Sequence, residues 1–133
     1  MNAVIIKEKG ILRGVELVMN LLNLFRRPRF LKNLSPQELL YRMEKYPKPV
    51  IVDVRTAFEF KKGHIEGARH FPLGSESKAA QKIIPITPVI LICKTGHRSQ
   101  AAAHTLQQNG FTDLYQLEGG MDRWRKEKLP VEK

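Results

Sequence analysis

The single cysteine of the chain, Cys93, is followed by Lys94-Thr95-Gly96-His97-Arg98-Ser99. A thiolate is a nucleophile where a thiol is not, and this setting favours the anion. The apolar, β-branched run Val89-Ile90-Leu91-Ile92 just before it reads as a buried strand. Residues from Arg98 to Asn109 read as a helix closed by Gly110. The cysteine then lies at a helix N-terminus, where unpaired backbone N–H groups and the dipole favour negative charge. Lys94, His97 and Arg98 add positive field, and Gly96 allows backbone angles that let successive amides converge on one point. A lone cysteine is more often an inert buried residue, but the glycine-containing loop, the helix and the three basic neighbours set this one apart. The chemistry predicted is attack by one sulfur, with an anion held in the same cradle.

One cysteine rules out a disulfide framework within the chain and any multi-cysteine zinc or iron–sulfur site. The four histidines show no metal-ligand spacing, so no metal is expected. Asp53 and Arg55, at the end of the run Val50-Ile51-Val52-Asp53-Val54, are expected to form an ion pair or hydrogen-bond network beneath the loop, with Glu59 as a partner for Arg55. His64 stands in the glycine-flanked stretch Gly63–Ala68 and reads as a turn-stabilising side chain. His97 is read as a loop-shaping or rim residue rather than a base. Gly119-Gly120 predicts a tight turn beside the active edge, and Trp124 a side chain that packs its helix on the core.

The elements that position these residues alternate between strand and helix. Phe30–Leu34 reads as a short edge strand. Ser35-Pro36-Gln37-Glu38 reads as a capping box with proline at the first helical position, opening a helix to about Lys45. Then follow the strand Val50–Val54, a helical turn at Phe58–Phe60, a short strand Arg69–Phe71, a helix Ser77–Ile84, the strand Val89–Ile92 and the long helix. A last strand Leu114–Leu117 and a helix Met121–Lys128 complete the order. This alternation argues an α/β domain with a mainly parallel sheet. In such sheets ligands bind beyond the carboxyl ends of the strands, where Cys93 is delivered.

Residues 1–29 read as a separate N-terminal arm and 30–133 as the domain. Within the arm, Arg13, Glu16, Asn20, Asn23 and Arg27 share one narrow helical stripe, and nearly everything else from Ile11 to Phe25 is apolar. An amphipathic helix over 11–27 with so wide an apolar surface must bury it on something. At about 22 Å it is too short to span a bilayer. It packs on its own domain or a second subunit, rests at a membrane interface aided by Arg26, Arg27 and Arg29, or serves as a targeting peptide. Lys7, Glu8 and Lys9 make a poor secretory start, which weighs against the last. The net charge is +10, of which residues 1–48 carry +6 and residues 49–133 carry +4. Spread this way, it points to anionic small molecules or surfaces rather than to nucleic acid, whose binders concentrate charge on one face.

Taken together these motifs resemble the single-domain rhodanese family of sulfurtransferases. The resemblance rests on Asp53-Val54-Arg55, Glu59 and Phe60, Gly63-His64-Ile65-Glu66-Gly67-Ala68, the six-residue loop Cys93 to Arg98 with Ser99, and Leu117-Glu118-Gly119-Gly120 followed by Trp124. It implies a five-stranded parallel sheet flanked by helices, no cofactor, and sulfur transfer through a persulfide on Cys93. A donor such as thiosulfate gives its outer sulfur to the thiolate, and a thiol or cyanide takes it away. Lys94, Thr95, Gly96, His97, Arg98 and Ser99 would bind substrate, with Lys94 and Arg98 attracting the dianionic donor. Asp53, Arg55 and Glu59 would support the loop. The expected location is the cytoplasm, with peripheral membrane contact or a homodimer formed through residues 11–27.

Two rivals differ in class. A cysteine phosphatase or arsenate reductase also uses a cysteine loop closed by arginine, but keeps five residues between them, where this loop has four. A non-catalytic sulfur-carrier or interaction module would dock through the arm; inactive members usually lack the cysteine that is present here.

Overall fold

The computed structural model describes residues 30–133 and, in the arm, Gly14, Val15, Leu17 and Val18. Those four arm residues are helical, and the side chains of Val15, Leu17 and Val18 are exposed. The rest of the expected helix over 11–27, and the cluster Arg26-Arg27-Pro28-Arg29, lie outside the described residues. Among the described residues, no helix is long and apolar enough to cross a membrane.

Five strands and five helices alternate along the domain: β1 (Leu31–Leu34), α1 (Pro36–Met43), β2 (Val50–Asp53), α2 (Ala57–Lys61), β3 (Arg69–His70), α3 (Glu76–Lys82), β4 (Val89–Ile92), α4 (His97–Gln108), β5 (Leu114–Leu117) and α5 (Gly120–Lys126). The strands lie in the order β1-β5-β4-β2-β3, and every pairing is parallel. The expected α/β sheet is therefore wholly parallel, with β1 at one edge and β4 at the centre. β4 is fully buried, which is why its sequence is continuously apolar rather than alternating.

Successive side chains point to opposite faces of a strand, and the core divides accordingly. Val89, Leu91, Val52, Val54 and Cys93 pack beneath Ala79 and Ile83 on one face, with Ala102, Ala103 and Leu106 of α4. Ile90, Ile92, Ile51, Tyr115 and Leu117 pack on the other against Leu39, Met121 and Trp124. Burying a side chain of this size stabilises by roughly 1.5–3 kcal/mol, so the two layers hold the sheet edge where the loops emerge.

Local signals explain the helix starts. The Ser35 hydroxyl accepts the Glu38 N–H at 3.1 Å, and the Glu38 carboxylate accepts the Ser35 N–H at 3.3 Å, the reciprocal box read from the sequence. Thr56 and Glu59 form a second box at the start of α2. The α4 helix begins at His97, one residue earlier than its sequence suggests, with Gly96 as N-cap.

Candidate active site

Chain direction reverses at the centre of the sheet. From β2 the chain runs outward to β3, whereas from β4 it runs the opposite way to β5. In open α/β sheets ligands bind beyond the carboxyl ends of two such strands, here at the loop after β2, with Arg55, and the loop after β4, with Cys93.

Cys93 directly follows the central strand β4 and is 2% exposed. Its Sγ accepts a hydrogen bond from the Gly96 N–H at 2.7 Å. This closes the loop on itself, and it requires Gly96 at φ +124°, ψ −21°, a conformation L side chains rarely adopt. Among the described residues no side chain caps α4 at its N-cap Gly96, and a helix N-terminus favours an anion.

A second helix end fixes the other side of the loop. The Met121 N–H donates to the Cys93 carbonyl at 2.9 Å, and the Asp122 N–H to the Lys94 carbonyl at 3.2 Å. The first turn of α5 is thus capped by the loop itself. Because a peptide unit is planar and trans, carbonyls turned toward α5 direct the N–H groups of Lys94 and Thr95 away from it. The approach is so close that only glycine fits at position 120. A Cβ there would stand 2.3 Å from the Lys94 oxygen and 2.5 Å from the Cys93 oxygen, and φ is +59°. The expected tight turn at Gly119-Gly120 is present, but this contact was not read from the sequence, where the glycine pair marks only a turn.

The ion pairs correct one expectation. Arg55 and Asp53 are both buried and paired, with Arg55 Nη2 2.8 Å and Nε 3.0 and 3.1 Å from the carboxylate oxygens. Arg55 Nη2 also donates to the Gly63 carbonyl at 2.9 Å. Glu59 is not its partner. Instead Glu59 receives both terminal nitrogens of Arg98, at 2.6 and 2.9 Å. The reason is that Asp53, two residues away, already occupies the fork of Arg55, while the box with Thr56 turns Glu59 toward the loop. The Arg98 guanidinium holds the Glu59 carboxyl at a pKa of about 2, against the opposing effect of burial. Arg98 is pushed above its ordinary value, first by the bond to Glu59, with smaller contributions from the charges of Cys93 and Asp53.

Of the predicted binding residues, Gly96 touches the sulfur directly, and Ser99 is buried in the first turn of α4. Lys94, Thr95 and His97 are exposed around the loop, while Arg98 is half-buried against Glu59. Among the described residues Lys94 makes no ion pair, whereas the Arg98 charge is already shared with a carboxylate. His64 has the structural role expected of it. Its Nδ1 lies 2.9 Å from the Phe60 carbonyl, its ring stacks on Phe60 at 3.7 Å, and its Nε2 faces Glu132 at 3.3 Å. Trp124 is buried, with its Nε1 donating to the Pro130 carbonyl.

The Cys93 sulfur thus accepts the Gly96 N–H at the switch point of a five-stranded parallel sheet. The sequence profile of the rhodanese-like domain covers residues 35–127. The chain belongs to the rhodanese-like domain family. It is 40% identical over 96 residues to the Bacillus subtilis protein YqhL, covering 72% of this chain and 74% of that one. Identity to a Pseudomonas putida protein named thiosulfate sulfurtransferase GlpE is 36% over 94 residues, 71% of this chain and 84% of the relative. Among solved structures, the polysulfide-sulfur transferase homodimer of Wolinella succinogenes superposes with a TM-score of 0.65 at 34% identity, over 77% of this chain and 78% of that one. Membership in the rhodanese-like family and the five-stranded architecture implied by the resemblance are thus both established.

Proposed function

We propose that this protein is a rhodanese-type sulfurtransferase that moves sulfane sulfur from thiosulfate or a persulfide donor to a thiol or cyanide acceptor through a persulfide on Cys93. The observation that carries this reading is the hydrogen bond from the Gly96 N–H to Cys93 Sγ at the N-terminus of α4, where Gly96 is the N-cap. Relatives named for transfer from thiosulfate and polysulfide support the same chemistry.

In the first step the Cys93 thiolate attacks the outer sulfur of thiosulfate. An S–S bond forms, the bond to the sulfonate sulfur breaks, and sulfite leaves with the electron pair. Lys94 and the amides around the loop stabilise the incoming dianion and the charge on the departing sulfite. In the second step an acceptor thiolate or cyanide attacks the outer sulfur and Cys93 returns as thiolate. No resolving cysteine is required, in keeping with the single cysteine of the chain. Asp53 and Arg55 hold the floor of the crevice, and Glu59 holds Arg98 at its wall. A compartment that keeps thiols reduced, such as the cytoplasm, suits the reaction.

Residues 1–29 serve as an association arm for the domain at 30–133. The exposed Val15, Leu17 and Val18 support a role in contacting a second subunit or a membrane surface. The test of function compares thiosulfate:cyanide transfer with hydrolysis of an aryl phosphate for the wild type and Cys93→Ser. Transfer by the wild type alone, without phosphate hydrolysis, is expected. Transfer at an undiminished rate by Cys93→Ser overturns the proposal.

A further inference from the structure

Buried polar groups find hydrogen-bond partners, and an exception calls for a reason. Ser99 is an exception: it is 1% exposed, and its Oγ has no hydrogen-bond partner among the described residues. Its position supplies the reason. On a helix, residues 99, 102, 103 and 106 share one face. Ala102, Ala103 and Leu106 pack in the cluster that contains Cys93, Leu91 and Val54. Ser99 heads that stripe in the first turn of α4, three residues after the Gly96 whose N–H reaches the sulfur. The face of α4 turned toward the nucleophile therefore ends in a hydroxyl with nothing to bond to.

We infer that the Ser99 hydroxyl is the hydrogen-bond donor for the outer sulfur of the Cys93 persulfide, a catalytic role that rests on the transfer reading above. In the resting protein Ser99 makes no bond to Sγ. Sulfur transfer adds an atom about 2 Å beyond Sγ, and it is that atom, carrying the anionic charge of the persulfide, that brings an acceptor within the hydroxyl's reach. Hydrogen bonds to charged groups are the strong ones. The persulfide, rather than the thiolate, is then the state that satisfies the Ser99 hydroxyl, which favours its accumulation between the two steps.

The test is Ser99→Ala, which removes only the oxygen. Because the hydroxyl is unpartnered at rest, the variant should melt at or above the wild-type temperature. It should nevertheless lose about tenfold in kcat/KM for thiosulfate:cyanide transfer, equivalent to ~1.4 kcal/mol. The decisive reading is the pH dependence of alkylation at Cys93, measured by mass spectrometry before and after incubation with thiosulfate. The profile of the sulfur-free protein should not change, while that of the persulfide should move upward by about one unit. Two unchanged profiles overturn the inference, since the hydroxyl then serves packing or a bound water. Two profiles shifted equally also overturn it, since the hydroxyl then serves Sγ itself. Failure of the wild type to gain sulfur from thiosulfate would be a separate result, which removes the persulfide reading and this inference together.

Discussion

Replacing Gly120 with alanine should disable the loop without touching any group that meets the substrate. The new Cβ would lie 2.3 Å from the Lys94 oxygen and 2.5 Å from the Cys93 oxygen, closer than the 3.0 Å within which real Cβ atoms essentially never come. Both obstacles are backbone, so no side chain can swing aside. The loop must retreat by roughly 1 Å, and a misplacement of that size can cost about 10²-fold in rate. Stability falls as well. A side chain at φ +59° costs about 1 kcal/mol. Weakening the Met121 and Asp122 bonds to the loop carbonyls costs about 1 kcal/mol each. The expected loss is about 3 kcal/mol, or about 10 °C in Tm. Gly67→Ala separates the two effects. Gly67 has φ +78° with nothing within 4 Å of the added Cβ, so strain alone should lower stability by about 1 kcal/mol and leave transfer intact. Thiosulfate:cyanide kinetics for both variants, at a temperature where both are folded, decide the matter. If Gly120→Ala keeps more than a third of wild-type kcat/KM, the loop is not positioned by α5 and the reasoning is wrong.

Three further outcomes are expected. Glu59→Gln should destabilise by about 1–2 kcal/mol at neutral pH, a figure reduced because both partners are about a quarter exposed. The Glu59 pKa is lowered from 4.5 to about 2, so the unfolded chain takes up the proton first as pH falls. The contribution of the pair is complete above about pH 4.5 and disappears on descending through 2. The gap in denaturant midpoint between variant and wild type should close over that window, and a constant gap would contradict the assignment. Asp53→Asn leaves the buried Arg55 charge without its counterion and should cost about 3–5 kcal/mol; a loss under 1 kcal/mol in urea unfolding would refute this. Deleting residues 1–28 should alter sedimentation or binding to anionic liposomes, and no change in either would remove the association role of the arm.

Runs of uniform character make much of the fold legible in the sequence. Val89–Ile92 and Leu114–Leu117 are legible to the residue because strands buried on both faces are dominated by apolar side chains. Ser35 and Glu38 mark a helix start by chemistry confined to four residues. The same four-residue signature stands at Thr56 and Glu59 and would have shown that Glu59 faces the start of α2. Its pairing with Arg98, 39 residues away in sequence, depends on how α2 and α4 meet across the crevice. Local spacing suggests Arg55 instead, although the Asp53–Arg55 pair, itself legible in the sequence, already fills that fork. The cysteine loop was legible as a cradle, whereas its support by α5 was not. The glycine pair announces a turn, but the close approach to the Cys93 and Lys94 carbonyls comes from packing α5 on the far face of the sheet.

The intact mass of the protein after incubation with thiosulfate and removal of excess donor tests the transfer chemistry most directly. The wild type should gain one sulfur atom, located on Cys93 by peptide mapping and lost again on addition of cyanide, while Cys93→Ser gains none. A wild type that stays at its starting mass while turning over thiosulfate, or a serine variant that gains the same sulfur, would contradict it.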